Sequence, residues 1–255
     1  MNPDFVRFFV ILLFAHLLGD FALQFGWIQH RKKMWGGRLL HSLIQAVLAY
    51  VLVGAWSLWL VPVVTGVTHY LIDWGKSSVK AKRRWMYALD QLLHGIVIIG
   101  ISIYLVSQAA PLPFWLDWQS GLGWKLLDLG VALLLLVPFG GYLIGALMAP
   151  FQGQLDRHAA NLAKSKPGEA KNPIKGFEDG GRIIGYLERL LILVFVLSSQ
   201  YAGIGFLVAA KSIFRFGEFK ESENRMEAEY IIIGTFASFL YAIVVSQVIQ
   251  WLLGH

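Results

Sequence analysis

Apolar positions along this chain gather into long runs separated by short polar stretches, at about residues 5–25, 39–56, 58–75, 87–107, 125–149, 183–199, 202–216 and 229–252. All but the seventh approach the roughly 20 residues that an α-helix needs to cross a bilayer. The pattern predicts an all-α, polytopic membrane protein of eight transmembrane helices, or seven if Tyr201–Phe216 is a re-entrant helix. Irregular backbone at membrane depth is stable only where protein covers it.

The first run carries His16 and Asp20 and is followed by no small-residue cleavage site, so it reads as a first span and not as a cleaved signal. Arg31, Lys32, Lys33 and Arg38 follow the first run, and Lys76, Lys80, Lys82, Arg83 and Arg84 follow the third. Trp56–Trp59 and Gln108–Trp124 hold no Lys or Arg. Basic loops stay in the cytoplasm, which places both termini on the periplasmic or exterior side. Tryptophans at 27, 35, 56, 59, 115, 118 and 124 fall at the expected headgroup levels.

Residues 151–182, with Lys-Pro-Gly and Asn-Pro, read as a polar cytoplasmic loop. The expected organisation is a four-span half over 1–107, an outer loop and fifth span over 108–150, the loop over 151–182, and a C-terminal membrane half over 183–255. The net charge of +6 is therefore a matter of topology. A nucleic-acid partner is not expected, because the one long hydrophilic segment is too short and too mixed in charge to be a basic domain. Membrane lipid is the expected partner.

Within the apolar runs, polar residues repeat. His16 and Asp20 stand four apart, hence on one face of a helix, and Gln24 continues the stripe. His69 and Asp73 have the same spacing. Each pair is followed by Leu-Leu-His, and His16 to His41 and His69 to His94 are both 25 residues. This is the signature of a duplicated helical hairpin.

Counted from the basic loops, His16, Asp20, His41, His69, Asp73, Asp90 and His94 all fall near the cytoplasmic ends of the first four spans. A lone charge at the bilayer centre costs at least roughly 2.5–3.5 kcal/mol, so groups gathered in this way must satisfy one another, water or a metal. Cysteine is absent, which leaves nitrogen and oxygen ligands. Imidazole and carboxylate suit Zn²⁺ first, with Mn²⁺ or Fe²⁺ as alternatives, and one or two ions. If the hairpins pack about a pseudo-two-fold axis, His16, Asp20 and His41 form one half-site and His69, Asp73 and His94 the other. Asp90 has no acidic counterpart in the first hairpin, where Gly37 stands, and is the candidate bridge or general base. Gln24, Gln45 and Gln91 read as hydrogen-bonding support for the ligands.

The C-terminal half adds Glu188, Arg189, Lys211 and Arg215 at the same level. One reading makes Glu188 and Arg189 compensate other helices and makes Lys211 and Arg215 interfacial anchors. The other joins Lys76, Arg189, Lys211 and Arg215 into a rim for a phosphate or carboxylate headgroup, with Glu188 in support. No phosphate loop, zincin motif or nucleophile elbow is present.

The stretches His-Leu-Leu-Gly-Asp-Phe with a following Gln (16–24), His-x-x-Ile-Asp-x-x-Lys (69–76) and Asp-Gln-x-x-His (90–94) resemble an uncharacterised family of bacterial multi-pass membrane proteins, a domain of unknown function. Ile-Gly-Tyr-Leu-Glu-Arg (184–189), Ala-Lys-Ser-Ile-x-Arg-Phe (210–216) and Glu-Tyr-Ile-Ile-Ile-Gly-Thr (229–235) resemble its longer members. The likeness implies the bacterial inner membrane. The His-x3-Asp helices are also similar to membrane-bound metal-dependent hydrolases, which implies hydrolysis with ligands at His16, Asp20, His41, His69, Asp73 and His94.

The expected function is a metal-dependent hydrolase at the cytoplasmic leaflet, acting on a lipid-linked or amphiphilic substrate, a phosphoester first. The alternatives are an ion or small-substrate transporter and a non-catalytic scaffold with a structural metal. Against a transporter, the outer halves of spans one to four are nearly wholly apolar.

Overall fold

The computed structural model describes residues 2–23, 34–78, 85–116, 121–165, 179–216 and 225–254. Among the described residues there are no strands. In chain order the helices are α1 (Pro3–Leu17), α2 (Trp35–Val53), α3 (Leu60–Ser78), α4 (Trp85–Ser107), α5 (Leu122–Leu134), α6 (Gly140–Ser165), α7 (Gly180–Leu197), α8 (Tyr201–Phe216) and α9 (Arg225–Leu253). Single π-helical turns extend α1 over Leu18–Ala22 and join α5 to α6 over Leu135–Phe139. Gln24 and the loops carrying Arg31–Lys33 and Lys80–Arg84 lie outside the described residues.

Local chemistry sets the ends. The Asn2 side chain accepts from the Asp4 amide at 2.9 Å, and Pro3 opens α1 where no backbone donor is needed. Gly54 closes α2 at φ 68°, a left-handed conformation that glycine adopts without strain. Beyond it, the Tyr50 hydroxyl donates to the Trp56 carbonyl at 2.6 Å, fastening the turn into α3.

Among the described residues, five helical stretches are long and apolar enough to cross a membrane: Pro3–Ala22, Trp35–Val53, Met86–Ser107, Leu122–Asn161 and Met226–Leu253. Tyr201–Ile213 is apolar but shorter. Polar residues dilute α3 (His69, Asp73, Lys76) and α7 (Arg182, Glu188, Arg189). The sequence places the end of the fifth run at residue 149, whereas the helix continues to Ser165. Its extension is supported on its own surface, by Gln152 bonded to Asp156 at 3.0 Å and Arg157 donating to the Gly153 carbonyl at 2.8 Å.

The distribution of polarity is the reverse of a soluble protein. Leu43, Val47 and Val51 on α2, Ile96, Ile99 and Ile103 on α4, and Phe236, Leu240, Val244 and Val248 on α9 face outward, while His16, His41, His69, His94, Asp90, Gln45, Glu188 and Arg189 are buried. Outward apolar rows one turn apart are what helices that cross a membrane present.

The chain divides into two compact units, Met1–Leu134 and Leu135–His255. In the first, α1 packs against α2, α4 and α5, α2 runs along α3, and α3 contacts α4, so the first four helices form a ring around a common interior. The second unit is built by α9 packing on α7 and α6, with α8 against α7. The divide falls inside the fifth apolar run.

Candidate metal centre

The site begins with a defect in α1. Over Leu18–Ala22 the ladder widens from α to π, and the Leu23 amide reaches back to the Leu18 carbonyl at 2.9 Å. Such bulges re-aim side chains and free a carbonyl. Gln45 of α2 uses both effects, donating through Nε2 to the His16 carbonyl at 3.2 Å and to Asp20 Oδ1 at 2.9 Å. Gly19 permits that approach: a Cβ there would stand 2.5 Å from Gln45 Nε2.

Four imidazoles and two carboxylates then converge inside the ring of helices. His41 Nε2 and His69 Nε2 are 2.9 Å apart. His41 Nε2 lies 2.9 Å from Asp20 Oδ1 and 3.9 Å from Asp73 Oδ2, and His69 Nε2 lies 3.5 and 3.8 Å from the same two oxygens. The other Asp20 oxygen, Oδ2, faces His16 Nε2 at 3.7 Å. The His94 ring stacks 4.7 Å from that of His16 and lies tilted 4.3 Å from that of His69, centre to centre. His16, His41, His69 and His94 are each no more than 7 % exposed.

These groups suit a cation. Donors about 2.0–2.1 Å from a tetrahedral Zn²⁺ stand about 3.3 Å from one another, and the separations around His41 and His69 bracket that value. Two triads, His16–Asp20–His69 and His41–His69–Asp73, each bring one ligand atom per residue within 4.8 Å of the others. His94 donates through Nδ1 to the Asp90 carbonyl at 2.8 Å, the contact that fixes a ligating histidine with its Nε2 lone pair inward. The Nε2 atoms of His16 and His94 are buried without a hydrogen-bond partner among the described residues. An orphaned buried acceptor costs about 1–3 kcal/mol, which a ligand would relieve.

The structure brings all six sequence-derived ligand candidates together but does not sort them by hairpin. Asp20 and His69, from different hairpins, share one triad, and the ring of helices places α1 beside α4 as well as α2. Gln45 and Gln91 support the cluster: Gln91 Nε2 donates to Asp90 Oδ2 at 3.2 Å and its side chain also meets the His16 ring.

Asp90 is 4 % exposed, and its Oδ2 pairs with Lys76 Nζ at 2.7 Å, so Lys76 is engaged within the first unit. Arg189, Glu188 and Lys211 belong to the second unit, and the side chain of Arg215 lies outside the described residues. Glu188 Oε2 pairs with Lys211 Nζ at 2.7 Å. Both line a cavity of about 870 Å³ bordered also by Tyr186, Arg189, Met148 and Ser238.

Arg189 has a task that the sequence concealed. Pro138 lacks an amide hydrogen and opens the ladder at Leu135–Phe139. Arg189 donates to the Leu136 and Val137 carbonyls within this turn and, at 3.1 Å, to Ser238, while the Tyr241 hydroxyl donates to the Leu135 carbonyl at 2.8 Å. Asp128 on α5 and Thr65 on α3 also escaped sequence reasoning; Asp128 is 7 % exposed, and the Thr65 hydroxyl is buried with no hydrogen-bond partner among the described residues. An acidic residue within an apolar run is itself a flag, and Asp128 could have been found by it.

Fold and site together define a polytopic α-helical membrane protein with a buried His/Asp cluster that could hold a metal. Residues 8–120 match the model of a family described as a protein of unknown function (DUF3307), a stretch that contains all six clustered residues together with Lys76 and Asp90. The comparisons with curated proteins and with solved structures give no match.

Proposed function

We propose that the first unit is a divalent-metal-dependent hydrolase acting at the cytoplasmic face of a bacterial inner membrane on a lipid-linked or amphiphilic phosphoester. The observation that carries this reading is the convergence of His16, Asp20, His41, His69, Asp73 and His94 inside an apolar bundle, with two imidazole nitrogens that have no hydrogen-bond partner among the described residues. Zn²⁺ is the first expectation, with Mn²⁺ or Fe²⁺ as alternatives. A bound ion of this kind supplies Lewis acidity toward a phosphoryl oxygen.

The remaining steps belong to the chain. Gln45 holds Asp20, and the Asp90 carbonyl and Gln91 hold His94 and His16, so the cluster is preorganised before substrate arrives. Asp90 is the proton acceptor and Lys76, whose side chain is 39 % exposed, holds it in place. Positive-inside topology puts these helix ends in the cytoplasm and both termini outside, with eight spans that include α3, α7 and α8.

The test is hydrolysis of phospholipid and lipid-phosphate vesicles by the purified protein. Phosphate or headgroup release that stops on chelation, returns with Zn²⁺ or Mn²⁺ and is absent in His69→Ala supports the reading. Hydrolysis indifferent to chelation, or none in protein shown to contain metal, overturns it.

A further inference from the structure

The cluster is divided in a way that a single ion does not explain. Asp20 Oδ1 faces His41 and His69, whereas Asp20 Oδ2 faces His16. The Nε2 atoms of His41 and His69 point at each other and at the Asp73 carboxylate, forming with Asp20 Oδ1 a set of four donors. The Nε2 atoms of His16 and His94 have no hydrogen-bond partner among the described residues, although both residues are more than nine-tenths buried. Beside them lies a chamber of about 20 Å³, bordered by His16, His69, His94, Thr65 and Thr68. That is room for one water or one bare ion.

We infer that the site holds two divalent cations bridged by the Asp20 carboxylate. The first is enclosed by Asp20, His41, His69 and Asp73. The second sits at the chamber, held by His16, His94 and Asp20, with one position open to a reacting oxygen. The inference rests on the hydrolase reading and gives it a division of labour. A cation with four protein ligands is closed, and one with three keeps a place for chemistry. A carboxylate donating one oxygen to each ion suits the about 3.5–4 Å spacing of two-metal sites.

Charge narrows the substrate. Two carboxylates and four neutral imidazoles balance one divalent ion, so a second leaves surplus positive charge among apolar helices. An anionic phosphoester neutralises that surplus, while a neutral ester or amide does not. This selects for anionic substrates without requiring a basic rim.

The experiment is metal counting on the full chain in detergent, stripped with chelator, reloaded with Mn²⁺ alone and freed of excess. Two Mn²⁺ per chain and an exchange-coupled electron paramagnetic resonance spectrum support the inference. A monodisperse His94→Ala variant is expected to keep one Mn²⁺ and to show an uncoupled six-line spectrum. One Mn²⁺ per wild-type chain, or two with no coupling, overturns the bridged pair and leaves the single-metal hydrolase standing. No bound Mn²⁺, Zn²⁺ or Fe²⁺ overturns both. Wild-type stoichiometry and coupling decide the matter even if the variant does not fold.

Discussion

His41 and His69 meet nitrogen to nitrogen at 2.9 Å, each from a different hairpin, with the Asp20 and Asp73 carboxylates on their flanks. Two imidazole nitrogens at this distance share a proton or share a cation. The carboxylates around them favour the cation, because a metal ion between the four groups offsets carboxylate charge held inside an apolar bundle.

Metal removal should therefore destabilise the protein. A ligand present at a hundred times its dissociation constant stabilises the folded state by about 2.7 kcal/mol. Thermal unfolding in detergent should move to lower temperature on chelation and recover when Zn²⁺ or Mn²⁺ is restored, and His69→Ala should show neither response. A chelator-insensitive unfolding curve in the wild type would count against a resident ion.

Gly19→Ala tests the approach of α1 to α2. The added methyl group would overlap the Gln45 amide, which must leave Asp20 or push the helices apart. The expected cost is about 1–3 kcal/mol, the usual range for overpacking a close contact. Weakened metal retention should accompany it, read as faster loss of ion during dialysis. A Gly19→Ala protein with wild-type stability and metal content would show that Gln45 is dispensable.

The Lys76–Asp90 pair makes a prediction about order. Lys76→Met leaves a buried carboxylate without its cation, whereas the double variant Lys76→Met/Asp90→Asn removes both charges. The single change should cost more than the double one, by about 1–3 kcal/mol, since stranding a buried charge is worse than deleting the pair. Chemical denaturation of the three proteins measures the difference. Activity, by contrast, should be lost in Asp90→Asn whether or not stability is restored.

Arg189 and Pro138 should be energetically coupled. Arg189→Leu strands the carbonyls of Leu136 and Val137 and is expected to cost about 2–5 kcal/mol. Pro138→Leu removes the ring that keeps this turn out of α-helical register, which lets later amides reach the Leu136 and Val137 carbonyls, so adding it to Arg189→Leu should recover part of the loss, with a coupling of about 0.5–3 kcal/mol. Additive costs in the double-mutant cycle would mean that the arginine does not serve that turn. Metal content should stay at the wild-type level in all three variants, because these residues lie in the other unit.

The ligand candidates were legible because i, i+4 spacing and a 25-residue repeat are visible in one dimension. Which residue meets which was not. Periodicity places His16 and Asp20 on one face but leaves open the rotation of α1 against its neighbours, and the π turn at Leu18–Ala22 alters that rotation at the decisive place. The sequence left Arg189 between compensating other helices and joining Lys76 in a rim for a ligand, because the partners of both are distant or cryptic. Asp90 is 14 positions from Lys76, and the carbonyls that Arg189 serves lie in a π turn that helical periodicity does not reveal.

The repaired turn at Leu135–Phe139 has a consequence for biogenesis. Its carbonyls are answered by Arg189 and Tyr241, both encoded more than 50 positions downstream. When the ribosome has delivered this stretch to the bilayer, the side chains that complete it have yet to be translated. Until α7 and α9 are made, those carbonyls lack the side chains that answer them in the folded unit, so this turn can be completed only after the last helix has been synthesised.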